Sequence, residues 1–381
     1  MVNNAPLIFD LALVLLLAVL MGFVSRRIGL PAIIGYLFAG LIVSPFTPGY
    51  VASSEQLSLL ADIGVAILLF EVGIEIEFRK ISKQQKQITW AAPIEVLIGL
   101  SGAFIIYQFT GISFAGSMLI AIAVALSSSV VIVNITRSKK RTTNKETEDS
   151  LLIWSVIQDV FGLLIAGVVI AIYTDTSNNP AVSIANLAIY IVIALFYGKA
   201  IHFVLDYVKK EKDLFLIFSF GSGLALAGLG SIAFNIPIAL AAFVAGVAIN
   251  RTEDTEELRR LLLPFRDIFA VLFFVVIGTL IIPNQFIDAL PFLFILLVLL
   301  FGFKTLPIYL MAKLSKIKAR PLQLSIGLSQ MGEFSFVLGS IVYAKGEIDR
   351  AEFSALLIML MISIAFATVF VRLKRFSKQK S

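Results

Sequence analysis

Apolar stretches long enough to cross a bilayer recur along the whole chain, and few folds accommodate that pattern. Thirteen candidate spans are read, at 7–24, 31–47, 56–78, 88–109, 114–136, 150–173, 182–205, 214–234, 237–250, 262–282, 288–312, 321–344 and 352–372. A hydrocarbon core of about 30 Å takes a helix of roughly 20 residues. Backbone polar groups at that depth find no water, so only helices and closed barrels can span it. A barrel would show alternating segments of about ten residues, and these runs are continuous. The expected fold is therefore an all-α polytopic membrane protein with thirteen transmembrane helices. Charged residues make up 15% of the chain, against about 25% in soluble domains. The ninth run, 237–250, is too short to cross upright unless the bilayer thins beside it.

Loop charge orients the spans. Of the 31 basic residues, 27 fall in alternate loops: Arg26/Arg27, Arg79–Lys86, Arg137–Lys145, Lys209–Lys212, Arg251–Arg266, Lys313–Arg320 and the tail from Arg372. The opposite loops hold only Lys345 and Arg350. The positive-inside rule then puts the N-terminus outside and the C-terminus in the cytoplasm of a cell membrane. The net charge of +6 reads as this topology signal and not as a nucleic-acid surface, because it is dispersed over seven short loops. The first run lacks a basic leader, and Arg26 and Arg27 follow it, so it reads as a retained helix.

Several chemistries are excluded. Without cysteine there are no disulfides, thiolate metal sites or redox thiols. The single histidine, His202, rules out a histidine metal cluster within one chain. No nucleophile–base pair is visible, so catalysis is not expected, nor is a cofactor.

The polar residues inside the spans carry the function. Gln158-Asp159 sits mid-span in 150–173, where a carboxylate costs a few kcal/mol or more. Such a carboxylate can exchange a proton for a cation. Asp159 lies roughly 14 Å from the cytoplasmic end of its span at about 1.5 Å per residue. Lys304, Ser127–Ser129 and Glu333 fall at comparable depths in theirs, so all can meet near the midplane. Each has a structural reading too. Asp159 or Lys304 could each be half of a structural ion pair, the serines and Gln158 could serve helix packing, and Glu333 could anchor a helix N-terminus. Glu71 and Asn134 are possible pathway residues. Glu95, Lys199 and His202 lie nearer span ends and read as structural. The small-residue stretch 219–231 reads as a helix-packing face, since it lacks a phosphate-loop spacing.

A separation of 205 positions carries Asp62-Ile63 to Asp267-Ile268 and Gly73 to Gly278. The first segment runs inward and the second outward in the topology above, the signature of an inverted-topology repeat. The same offset takes Ser129 to Phe334, beside Glu333. Three consecutive serines and Gly332 both weaken a helix. Two interrupted helices are expected there.

These residues resemble a family. Arg26-Arg27-Ile28-Gly29-Leu30-Pro31, Leu69-Phe70-Glu71-Val72-Gly73-Ile74-Glu75, Ala125-Leu126-Ser127-Ser128-Ser129, Gln158-Asp159, Ala242-Phe243-Val244-Ala245-Gly246, Pro264-Phe265-Arg266-Asp267, Gly302-Phe303-Lys304 and Gly327-Leu328-Ser329-Gln330-Met331-Gly332-Glu333-Phe334 are similar to Kef-type members of the second monovalent cation:proton antiporter family. The resemblance implies a sodium/proton-antiporter-like fold with two crossing broken helices, and a homodimer whose mobile core moves against a scaffold. The scaffold is 1–87 and 214–287, the core 88–181 and 288–373, with a linker helix in 182–213 and a basic cytoplasmic tail at 374–381. Asp159 matches the family's ion-binding aspartate and Lys304 its core lysine. Ser127–Ser129 and Gly332-Glu333 match its broken-helix motifs. Many such proteins carry a cytoplasmic nucleotide-binding domain. Here it has been removed, is a separate subunit, or does not exist.

Two departures stand out. Gln158 occupies a position where sodium-selective relatives often have a second acidic residue, and Glu71 one that is usually apolar. A single carboxylate with neutral oxygens suits potassium, whose hydration shell is easier to lose than sodium's. The expected function is exchange of a monovalent cation, K+ favoured, for H+ by alternating access, in service of pH homeostasis. A Na+/H+ antiporter and a channel-like K+ pathway remain open.

Overall fold

The computed structural model describes residues 5–45, 54–75, 86–137, 142–174, 180–208, 210–250, 255–281, 286–332 and 334–373. Those residues form helices and short connections. In chain order the helices are α1 (Ala5–Arg27), α2 (Ala32–Ile42), α3 (Ser54–Glu75), α4 (Lys86–Ser101), α5 (Ala103–Phe109), α6 (Phe114–Ala125) and α7 (Ser129–Arg137). There follow α8 (Lys145–Thr174), α9 (Pro180–Val208), α10 (Lys212–Phe234), α11 (Ile238–Ile249), α12 (Thr255–Thr279) and α13 (Phe286–Val298). A π-helical turn (Leu299–Thr305) leads to α14 (Leu306–Leu314), α15 (Pro321–Leu328), α16 (Phe334–Ala344) and α17 (Arg350–Phe370). Among the described residues, eight helices are long and apolar enough to cross a membrane, and shorter apolar helices accompany them.

The chain divides into two compact units, the first being Met1–Leu16, Val51–Glu77 and Gly167–Val276. In this unit α3 and α11 approach backbone to backbone. A side chain on Gly73 would run into the carbonyl of Phe243, and one on Gly246 into that of Phe70. Small residues permit this contact, and in lipid such packing replaces the hydrophobic drive that water supplies. Tyr190 of α9 is buried in the same core, and its hydroxyl donates to Ala241 O at 2.8 Å. Asn235 takes a left-handed φ of 53° and ends α10, the usual means of stopping a helix without glycine.

The second unit is Leu17–Tyr50, Phe78–Ala166 and Ile277–Ser381. Its core packs Trp154 and Leu151 of α8 against Ile88, Ala91 and Ala92 of α4 and against Leu324 and Leu328 of α15. A capping box between Asp349 and Glu352 starts α17, satisfying two of the N–H groups that a helix start leaves open.

Two runs read as continuous spans have internal irregularities. The run 88–109 pauses at Gly102, between α4 and α5. The run 288–312 contains the π-helical turn, which ends just before Pro307. Proline lacks the N–H that a regular turn needs, and single π turns are found at functional sites. Lys304 sits in this one and is fully buried.

Candidate functional site

Two helix interruptions face each other in the second unit. The first separates α6 from α7 at residues 126–128, where Leu126 is extended with ψ 142°. The second separates α15 from α16. The side-chain amide of Gln330 clasps the Ser128 backbone across the gap, Ser128 N–H donating to Gln330 Oε1 and Gln330 Nε2 to Ser128 O, both at 3.0 Å. Ser127 Oγ donates to Leu328 O at 2.9 Å. Gly332 N–H donates to Leu126 O at 3.0 Å. Ser128 Oγ accepts from Val131 N–H at 3.3 Å, capping the start of α7. A Cβ on Gly332 would lie 3.1 Å from the Ser127–Ser128 backbone, so only glycine fits this crossing comfortably.

Breaking α6 strands its last carbonyls, which cannot be left unpaired at this depth. Each has a donor. Ala123 O accepts from Ser335 Oγ at 2.5 Å. Val124 O and Leu126 O accept from Lys304 Nζ, each at 3.0 Å, and Gln330 O takes a third Lys304 bond at 2.7 Å. Ala125 O accepts from Gln158 Nε2 at 3.1 Å. The three donors of an ammonium thus close three carbonyls at the ends of two half-helices, where the helix dipole also favours a cation. The carboxylates of Glu95 and Asp159 lie within electrostatic reach of the same ammonium. Lys304 therefore holds the two breaks together.

Gln158 and Asp159 lie side by side on α8, 0% and 6% exposed. Gln158 Nε2 makes a second bond, to Glu95 Oε2 of α4. Trp154, one turn earlier on α8, flanks the same carboxylate. Glu95 is itself 0% exposed. Among the described residues no donor reaches Gln158 Oε1 or Glu95 Oε1. Buried acceptors without donors are costly. Of the two, the Gln158 oxygen is neutral, and a desolvated cation is the partner that it suits.

Comparisons with known proteins identify the family. The family model described as "Sodium/hydrogen exchanger, transmembrane" matches residues 13–373. The chain belongs to the sodium/hydrogen exchanger family. The exchanger is 26% identical over 370 residues to the ammonium/H(+) antiporter subunit AmhT of Alkalihalophilus pseudofirmus, covering 94% of this chain and 92% of that protein. It is 27% identical over 297 residues to the K(+)/H(+) antiporter subunit KhtU of Bacillus subtilis, covering 73% and 71%. It is 24% identical over 366 residues to the glutathione-regulated potassium-efflux protein KefC of Salmonella heidelberg, covering 92% of this chain but 57% of KefC. The resemblance to Kef-type antiporters thus holds. Among solved structures, the sodium proton antiporter MjNhaP1 of Methanocaldococcus jannaschii shares the fold, with a TM-score of 0.76 at 17% identity over 98% of this chain and 100% of that one. The exchanger is a multi-pass monovalent cation/proton antiporter, and not an enzyme.

Other residues singled out in the sequence lie as follows. Ser127 and Ser128 of the exchanger are buried at the first break, and Ser129 is half-buried at the start of α7. Glu333 lies outside the described residues, as do the side chains of Asn134, Asp62 and His202. Glu71 belongs to the first unit and is 1% exposed. It is salt-bridged to Arg259 Nε at 3.2 Å and to Arg266 at 3.1 Å. Arg266 also bonds Asp267 at 2.8 Å. Two side chains were underrated from sequence. Glu95 was ranked with span-end residues, yet it is wholly buried against Gln158. Gln330 appeared only within a motif, yet it ties the two breaks together. Its position between Ser329 and Gly332, at the helix interruption of the run 321–344, is the available signal.

Proposed function

We propose that this antiporter exchanges one K+ for one H+ per cycle, with both competing for Asp159. The observation that carries this reading is the buried carbonyl oxygen of Gln158, the residue preceding Asp159 on α8, with no donor among the described residues. A neutral oxygen next to one carboxylate replaces part of a cation's hydration shell without adding charge. That favours the ion which loses its shell more easily. The names of KhtU and KefC support potassium. AmhT makes ammonium the cation to test beside it.

In this reading thirteen spans cross the membrane, with the N-terminus outside and the C-terminus in the cytoplasm. A core of 88–181 and 288–373, with its two crossing broken helices, moves against a scaffold of 1–87 and 214–287, with 182–213 linking them. The scaffold forms a homodimer. The inverted repeat gives the two faces equivalent access to the site.

The test uses purified protein in proteoliposomes with an internal pH dye and clamped voltage. Potassium, sodium and ammonium are added in turn at matched concentration, with protein-free vesicles as the ammonium baseline. Proton movement strongest with potassium is the expected result. An equal or larger sodium response would make this a Na+/H+ antiporter. Cation conduction without proton movement would make it a channel. Exchange driven by voltage alone would rule out the one-for-one ratio.

A further inference from the structure

We infer that Glu95 is a positioning residue for cation selection, and that it acts by fixing which way the Gln158 amide faces. Nothing in the motifs that mark the family assigns it a role. The argument begins with the amide itself. Its nitrogen has two hydrogens, and both are taken, one by Glu95 Oε2 and one by Ala125 O. The planar amide then has its oxygen fixed as well. Turning it over would set Gln158 Oε1 against a carboxyl oxygen and a backbone carbonyl, two acceptors with nothing to donate. The present orientation is thus the only one that both neighbours accept.

Ala125 O alone would not secure it. It is a single neutral acceptor, available only because α6 breaks after Ala125. Glu95 adds an acceptor that stronger hydrogen bonds favour when it is charged. Its side chain comes from α4, 63 positions away in the chain. Its oxygens lie in the same buried cluster as Lys304 and Gln158. With the amide nitrogen so held, Gln158 Oε1 stays available as a neutral ligand beside Asp159. Without Glu95, the amide can turn its NH2 group toward the site, where it would repel a cation.

This inference rests on the reading of Asp159 and Gln158 as the ion site, and the test separates the two. Glu95→Gln keeps an acceptor oxygen at the same reach and removes the charge. Glu95→Asp keeps the charge and withdraws the acceptor by one methylene. Exchange is measured in proteoliposomes for potassium and sodium, each variant at its own pH optimum. Glu95→Gln is expected to hold the wild-type KM for potassium and the potassium-to-sodium ratio. Glu95→Asp is expected to raise that KM about ten-fold and flatten the ratio, with kcat little changed, the effect of one lost charge-assisted hydrogen bond. Loss of the ratio in Glu95→Gln, or its retention in Glu95→Asp, overturns the inference. Should Glu95→Asp fail to fold, Glu95→Met removes the acceptor at similar volume and is held to the same outcomes. Wild type and Asp159→Asn run alongside. A wild type that exchanges nothing, or an Asp159→Asn variant that still exchanges, would refute the ion-site reading instead.

Discussion

Glu71 and Glu95 are both carboxylates buried at membrane depth, one in each compact unit, and they are treated in opposite ways. Glu71 is met by two guanidinium groups, Arg259 and Arg266. Arginine presents a rigid, permanently charged fork, so that carboxylate is neutralised where it stands and ties α3 to α12. Glu95 receives an amide hydrogen on one oxygen and no donor among the described residues on the other. The nearby ammonium of Lys304 gives its hydrogen bonds to three carbonyls instead. A cluster with every charge matched at close range is a structural joint. A cluster whose donors are already committed leaves the neutral Gln158 oxygen available for a guest.

That contrast can be broken or sharpened by mutation. The largest effect belongs to Asp159→Asn, which should abolish cation-driven proton movement while the protein purifies and melts as before. Next comes Lys304→Met, which strips the donors from three buried carbonyls. It should cost about 3–5 kcal/mol of stability, the range seen when one member of a buried charged network is removed. Thermal unfolding in detergent reads it out, and an unchanged midpoint would mean that those carbonyls do not depend on Lys304.

Glu71→Gln should cost somewhat less, about 3 kcal/mol, because Asp267 still compensates part of the arginine charge. Exchange per folded molecule should persist. A folded Glu71→Gln protein without exchange would make Glu71 a pathway residue and erase the contrast between the two units. The smallest effect is expected from Gln158→Leu. Discrimination between potassium and sodium should fall about ten-fold, near 1.4 kcal/mol, with turnover largely kept. Ion-specific KM values measure it.

Much of the site could be read along the chain. Asp159 and Gln158 stood out because charge is expensive in a long apolar run. Ser127–Ser129 and Gly332 marked the two interruptions, since those residues weaken a helix wherever they occur. Lys304 was found by depth, although its hydrogen bonds to Val124, Leu126 and Gln330 were not foreseen. Glu95 was passed over because it falls in the first half of its run, and depth alone ranked it with Lys199 and His202. The arginine partners of Glu71 were missed for a related reason: 188 positions separate Glu71 from Arg259, and no local pattern links them.

The division has a physical basis. Hydropathy is a one-dimensional quantity, so the chain by itself pointed to an all-helical membrane protein, singled out the polar residues inside its apolar runs, and marked where helices fail. What a side chain faces depends on the rotation of its helix and on the helix packed against it. The close approach of α3 to α11, the pairing of Ser128 with Gln330, and the hold of Glu95 on Gln158 are contacts of that kind. Only the tertiary structure decided them, because glycine-lined helix faces and freed carbonyls acquire partners only when distant segments pack.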